Sequence, residues 1–377
     1  MKNLHKVITL AAAFFTIGNS VYAQHADTHL PTWALGPFVR PARVNPIISP
    51  DTSTTFYDPM HKQQWHWEAS DTFNPAATVK DGKIYVLYRA EDNSGVGIGS
   101  RTSRIGLASS TNGVMLKRES KPVLFPANDN AKDFEWPGGC EDPRVAVTPA
   151  GTYVILYTEW NHKLPRLAAA TSTDLHHWKK NGPVFQQAYN GRFFNMATKS
   201  ASIVTKVVDG KQVIAKINGK YFMYWGEQHV YAATSTDLVN WTPLVNGDGT
   251  LKILFSPRAG YFDSQLTECG PPSVMTSRGI VLMYNGKNGA DNGDKNYTTG
   301  AYCGGQALFS LSDPTKVIAR LDKPYFVPEA PFEKSGQYPQ GTVFTEGLVY
   351  FHAKWFLYYG CADSKVAVAI YNPATRK

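Results

Sequence analysis

Four cysteines in 377 residues, Cys140, Cys269, Cys303 and Cys361, include no Cys-x-x-Cys pair, so neither a zinc ribbon nor a thioredoxin-type motif is written into this chain. Their even number leaves two arrangements open, one disulfide bridge or four buried free thiols. Beyond residue 17 no stretch approaches the ~20 apolar residues a helix needs to cross a bilayer. The net charge of +8 comes without any Lys/Arg cluster, which speaks for solubility and against a nucleic-acid surface. Sustained helical periodicity is missing, so repeated α/β units are excluded. No spacing of ligands suggests a metal, and no motif suggests a cofactor.

What is present begins with an export leader. Lys2 and Lys6 precede an apolar stretch from Val7 to Ile17, and Val21-Tyr22-Ala23 supplies small residues for cleavage after Ala23. Gln24 follows rather than Cys, so no lipid or other membrane anchor is expected. The mature chain, 24–377, is expected to be exported, periplasmic or secreted, with a formal charge of +6 once Lys2 and Lys6 are gone.

The mature chain repeats. Ala-Thr-Ser-Thr-Asp-Leu-x-x-Trp occurs at Ala170–Trp178 and again at Ala233–Trp241, 63 residues on; weaker copies stand at Ala108–Gly113 and Phe309–Pro314. Each reads as a strand ending in a turn closed by an Asp or Asn side chain. Upstream lie β-prone runs, Tyr85–Tyr88, Tyr153–Tyr157, Tyr221–Tyr224, Ile280–Tyr284 and Trp355–Tyr359, several entered through hairpin signals such as Asp81-Gly82 and Asn218-Gly219. Five copies at intervals of ~60–75 residues predict an all-β, single-domain, five-bladed β-propeller with four strands per blade. Outer strands are expected at Lys121–Phe125, Gly182–Phe185 and Lys323–Val327. The last repeat lacks one, and Asn45–Pro50 has the missing pattern, so the N-terminal segment is expected to complete the last blade.

In such an architecture the ends of the inner strands converge on a channel. Their starts carry Asn74, Glu141-Asp142-Pro143-Arg144, Lys199-Ser200 and Glu268; the following strands end in Arg89, Glu159, Glu227, Asn285 and Asp363. Trp136, Trp160, Trp225 and Tyr302 are candidate walls. Converging carboxyls with Arg and amide partners are what sugar hydrolysis uses, one acid protonating the leaving oxygen and one carboxylate activating water; crowding raises at least one carboxyl. The competing reading is that these charges merely pair across the channel. Glu141 invites it most, because neighbouring strand residues point to opposite faces.

Gly138-Gly139-Cys140-Glu141-Asp142-Pro143-Arg144 resembles the signature of glycoside hydrolase family 130, mannoside phosphorylases and β-mannosidases. Phe73-Asn74-Pro75 with Arg89, Tyr224-Trp225-Gly226-Glu227 and Tyr359-Gly360-Cys361-Ala362-Asp363 resemble it too, over about Asn45 to Asn372. The resemblance implies a five-bladed fold and Asp142 as general acid, its proton passing through a hydroxyl of the mannose being cleaved. It also implies Asn74, Arg89, Lys199 and Asp363 as holders of that sugar. Glu141, Arg144, His229 and Tyr302 are further candidate contacts of a β-mannoside oligosaccharide. A phosphorylase must hold a phosphate dianion with several cationic donors. Glu227 and Glu268 repel phosphate and suit water activation; this resembles the hydrolytic branch of the family, which acts on β-1,2-linked mannosides, and implies an inverting β-1,2-mannosidase as the expected activity. His229, Lys199 and Arg144 keep a phosphorylase open. A non-catalytic glycan-binding propeller and an arabinan-acting relative are weaker alternatives.

Other features have plainer expectations. Trp178 and Trp241 are expected between blades, and His176 and His177 in solvent. Trp65-His66-Trp67 either walls the sugar site or covers a blade, and Asn285–Asn296 reads as a loop near the channel mouth.

Overall fold

The computed structural model describes residues 30–376, so the leader expected over residues 1–23 lies outside the described residues. Among the described residues, helix is confined to one turn, Lys132–Glu135, and two short 3-10 segments. The rest is β-structure and loop, as expected.

Apart from a hairpin of Phe56–Asp58 with Gln63–Trp65 and two short strands at Lys211–Ile214 and Lys216–Ile217, the strands form five antiparallel meanders. The first is β1 (Asp71–Lys80), β2 (Lys83–Glu91), β3 (Ser103–Ser110) and β4 (Lys117–Arg118). The second is β5 (Gly139–Val147), β6 (Tyr153–Trp160), β7 (Arg166–Ser172) and β8 (Lys179–Pro183). The third is β9 (Ala201–Val208), β10 (Lys220–Trp225), β11 (Tyr231–Ser235) and β12 (Trp241–Pro243). In the fourth, Gly270-Pro271-Pro272 splits the first strand into β13 (Leu266–Cys269) and β14 (Ser273–Thr276), since proline has no N–H for the ladder. β15 (Gly279–Lys287), β16 (Tyr302–Phe309) and β17 (Val317–Arg320) complete it. The fifth has three strands, β18 (Val343–Phe351), β19 (Lys354–Cys361) and β20 (Lys365–Tyr371).

The N-terminal segment lies along β20, through antiparallel bridges Val39–Ile370 and Ile48–Val366. Pro46 cannot donate there. The Asn45 side chain substitutes for a strand, donating to Val368 O at 2.8 Å and accepting from Val368 N at 2.9 Å. Two of the expected outer strands shrink to single bridges, Leu124 to Ile105 and Phe326 to Gly304.

Apolar cores sit between successive meanders. Leu87, Leu107, Val145 and Ile155 pack the first against the second. Ala201, Met223 and Trp241 face Leu156 and Phe185 between second and third, and Tyr224 and Phe309 meet between third and fourth. Met283 and Tyr359 join fourth to fifth, and Tyr88 and Val368 join fifth back to first. Trp241 is buried and Trp178 packs on the core between first and second, as expected. β1 touches β5 and β18, β5 touches β9, and β9 pairs in parallel with β14 at Val204–Ser273. The first strands thus lie side by side in the order β18, β1, β5, β9, β14.

The repeated turn is built as its sequence suggests. Ser172 Oγ accepts from Asp174 N and Leu175 N, and Asp174 Oδ1 accepts from His176 N and His177 N; Ser235 and Asp237 do the same. His176 and His177 are exposed. A second repeat was not legible. The second-strand tyrosines Tyr88, Tyr157, Tyr284 and Tyr359 donate to Glu68, Glu135, Asp263 and Glu333 at 2.8, 2.9, 2.6 and 2.7 Å. Each carboxylate is buried and paired with a cation, respectively Arg118, Lys180, Arg320 and Arg40. Breaking such a pair leaves a buried charge unmatched, at about 3–5 kcal/mol. All four cysteines are buried free thiols, which closes the disulfide alternative.

Candidate active site

Beside the bulges of these first strands lies a cavity of about 270 Å³. Asn74, Arg89, Glu141, Asp142, Lys199, Glu227, Glu268, Tyr302 and Asp363 line it, so nine of the expected site residues come together.

Local backbone geometry explains how they reach it. β1 carries a bulge between Phe73 and Pro75, and β5 one between Glu141 and Arg144. At these irregularities Asn74 and Asp142 adopt φ of +44° and +47°; Ser200 and Asp363, beside the cavity, have +56° and +50°. Left-handed backbone is costly for most residues and best tolerated by Asn and Asp. Such strain persists only where surrounding structure enforces it. Gly360 is part of that enforcement: a Cβ there would overlap Asn74.

Arg89 is the hub. It donates to Asp142 Oδ1 at 3.0 Å, Glu141 Oε1 at 2.8 Å, Glu91 Oε1 at 2.6 Å and Ser103 Oγ at 3.0 Å. Asn74 Nδ2 also donates to Asp142 Oδ1, at 2.8 Å, which leaves Oδ2 without a donor among the described residues. Opposite, Lys199 Nζ stands 3.3 Å from Glu227 Oε1 and 3.4 Å from Glu268 Oε1, and Ser200 Oγ donates to Glu268.

Charge sorts these carboxyls. Burial pushes Glu141 up to about 7, against the pull of Arg89. Burial likewise lifts Asp363 to about 7, with repulsion from Asp142 adding to it. Burial also raises Glu268. Asp142 feels the same burial, but Arg89, Lys199, Arg144 and the Asn74 hydrogen bond outweigh it and hold its carboxyl well below the usual range. Burial opposes a charge on Lys199, yet Glu268 and Glu227 keep it firmly protonated. Burial thus favours the protonated form at Glu141, Asp363 and Glu268, whereas the surrounding cations favour the ionised form at Asp142.

Several expected members lie elsewhere. His229 is off the cavity, its Nδ1 2.9 Å from Ser256 Oγ. Arg144 is buried beneath it, donating to the backbone carbonyls of Asp142 and Cys269 at 2.9 and 3.0 Å. Neither lines the space a sugar or phosphate would fill. Glu159 points away because strand residues alternate: Thr158 and Trp160 face the cavity, whereas Tyr157 and Glu159 meet each other on the other side. Asn285 is consumed in holding Thr345 of β18, Trp225 is in the core against Phe185, and Trp136 packs edge-on to His61. Trp160 and Tyr302 do form walls; Trp160 is fixed by its indole N–H to Gly99 O at 2.9 Å. Trp67 is buried under the first meander and Trp65 donates to Asp92, so this segment covers a sheet.

Tyr338, Phe344 and Ile98 also line the cavity and were not anticipated. Glu91 was missed although its position two residues after Arg89, on the same face of β2, was a usable signal. Tyr338 and Ile98 come from loops and had none. Among the described residues, no group of three or more His, Cys, Asp or Glu is arranged to hold a metal ion.

Residues 43–374 match the glycoside hydrolase family 130 profile, described as β-1,4-mannooligosaccharide phosphorylase. The chain belongs to glycoside hydrolase family 130. A 1,2-β-oligomannan phosphorylase from Thermoanaerobacter sp. (strain X514) is 31% identical, over 82% of this chain and 93% of the relative. A crystal structure of a putative glycosidase from Bacteroides thetaiotaomicron VPI-5482 is 63% identical at a TM-score of 0.90, covering 91% of this chain and 99% of its own. A third is reported under the finding that the GH130 family of mannoside phosphorylases contains glycoside hydrolases that target β-1,2 mannosidic linkages in Candida mannan. It is 64% identical at a TM-score of 0.92, covering 93% of this chain and 98% of its own. This GH130 chain is therefore an enzyme of a family acting on β-mannosides, with both phosphorylases and hydrolases among its relatives.

Proposed function

We propose that the protein is an inverting hydrolase of β-1,2-linked mannosides. The observation that carries this is the charge of the cavity: two cations, Arg89 and Lys199, face five carboxyls, and both cations are already engaged by carboxylates. A phosphate dianion placed there meets more repulsion than attraction, whereas water between Glu227 and Glu268 finds acceptors for its protons. The likeness to the structure associated with β-1,2-mannoside hydrolysis supports the linkage.

In this reading Asn74, Arg89, Lys199 and Asp363 hold the mannose to be released. Glu227 or Glu268 takes a proton from water as its oxygen attacks the anomeric carbon and the bond to the leaving oxygen breaks. Asp142 supplies the proton to that oxygen, through a hydroxyl of the bound mannose. A single displacement inverts the configuration. Asp142 is ionised in the empty site, so filling the cavity must raise it; covering its free Oδ2 with sugar works in that direction.

The five meanders, with cores between each pair of neighbours and the N-terminal segment closing the last, support a five-bladed β-propeller. The leader at residues 1–23 makes the protein an exported one in this proposal, working on glycans outside the cytoplasm.

Phosphorolysis is the second reading, favoured by the oligomannan phosphorylase relative and by Lys199 at the cavity. Incubation with β-1,2-mannobiose, with and without inorganic phosphate, separates the two. Free mannose in both tubes is expected; mannose 1-phosphate formed only with phosphate overturns the hydrolase.

A further inference from the structure

β18 carries the same device as β1 and β5. Its register shifts between Thr345 and Gly347, so Glu346 occupies in the fifth meander the bulge position that Asn74 and Asp142 hold in the first and second. Unlike those two, Glu346 does not line the cavity. It is 0% exposed, and it is ion-paired by distance with Arg144, whose Nη2 stands 2.8 Å from Oε1; neither Oε1 nor Oε2 has a hydrogen-bond partner among the described residues.

Arg144, itself buried, sits where three inner strands meet. Nη1 binds the carbonyl of Asp142 on β5, and Nη2 binds the carbonyl of Cys269 on β13, the residue after Glu268. The third contact is Glu346 on β18. Glu346 sets a carboxyl beside this buried guanidinium; burial raises that carboxyl well above its ordinary range, against the pull of Arg144, so the contact stands on geometry whether or not the carboxyl is ionised.

We infer that Arg144 and Glu346 are a positioning pair that ties the backbone of Asp142 to that of Glu268-Cys269 and so sets the separation of the two sides of the reaction. This rests on the roles proposed for Asp142 and Glu268. Neither member of the pair lines the cavity, so their contribution falls on the geometry of the reacting groups rather than on sugar binding. Asp142, strained at φ +47°, needs such a tie to hold its carbonyl. Misplacement of a reacting group by about 1 Å costs about 10²-fold in rate, and loss of a supporting residue behind a functional group typically costs about 10–100-fold.

The test is steady-state kinetics on Glu346→Leu and Glu346→Gln with β-1,2-mannobiose. The leucine variant is expected to lose about 100-fold in kcat. The glutamine variant is expected to lose about tenfold, because its amide oxygen still stands beside the Arg144 guanidinium. KM is expected to stay within about twofold in both. Values of kcat within twofold of the parent, or a raised KM at unchanged kcat, overturn the inference. If the leucine variant fails to fold, the glutamine variant decides alone by the same criteria. A parent that turns over no mannobiose, with phosphate or without, defeats the functional proposal and not this one. Crystal structures then decide: Arg144 is expected to lose one of its two carbonyl partners in the folded variants, and retention of both at parental distances refutes the pairing role.

Discussion

Replacing Lys199 with Met removes the cation that stands between Glu227 and Glu268. At an effective dielectric of about 20, unit charges 3.4 Å apart attract by about 5 kcal/mol. At 1.36 kcal/mol per pH unit this corresponds to between about three and four units of titration. The Glu227 side chain is 45% exposed and its share is screened; the Glu268 side chain is 2% exposed and feels nearly the whole loss. Burial already lifts Glu268, and without Lys199 nothing of equal strength opposes it. Lys199 also depresses Glu141 and Asp142, so these rise as well. The expected result is a pH profile of kcat/KM displaced upward as a whole. Its acidic limb should move by at least about two units, with a loss of about 10²-fold at pH 6. The assay is mannose release from β-1,2-mannobiose across pH 5–10, with melting followed in parallel. A profile that drops in height while both limbs stay in place refutes the reasoning, since Lys199 would then only bind sugar.

Two further outcomes follow from the same site. Asp142→Asn keeps an acceptor for Arg89 and Asn74 and a residue type that tolerates φ +47°; the fold should survive while turnover falls about 10³-fold, and turnover within tenfold of the parent removes Asp142 as the acid. Glu141 and Asp363 titrate near 7 in the folded protein and near 4 when unfolded. The folded state therefore keeps protons that the unfolded chain releases, so stability is greatest below about pH 4 as far as these two groups are concerned. It is lost progressively up to pH 7, by ~3 kcal/mol per group. Asp363→Asn should flatten this slope between pH 4.5 and 7 in urea unfolding, and an unflattened slope excludes Asp363 as its source.

Much of the chain's organisation was legible because it rests on local rules. The hairpins at Asp81-Gly82 and Asn218-Gly219 form where left-handed residues were expected, and both pairs have positive φ. The serine–aspartate turns close as read. Glu159 and Trp225 were misplaced for one reason: adjacent strand residues face opposite ways, and choosing the inward member needs the register. Arg144 was misplaced differently. Its neighbour Asp142 sits in a bulge, which resets alternation, and no pattern in Glu-Asp-Pro-Arg announces that. The outer strands at Lys121–Phe125 and Lys323–Val327 were overdrawn because Pro122 and Pro324 cannot donate to a ladder.

The sequence by itself determined the all-β class, because turn chemistry and strand patterning are encoded within a few residues of each other, and its motifs pointed to the family and to nine of the residues around the cavity. Only the tertiary structure decided which charges are free. Arg89 is shared among Glu91, Glu141 and Asp142, Lys199 between Glu227 and Glu268, and Arg144 is spent on two backbone carbonyls and Glu346. These partnerships join residues as much as 202 positions apart, from Arg144 to Glu346. Their strength depends on burial and on ångström-scale distance, quantities that exist only once the meanders have packed against one another.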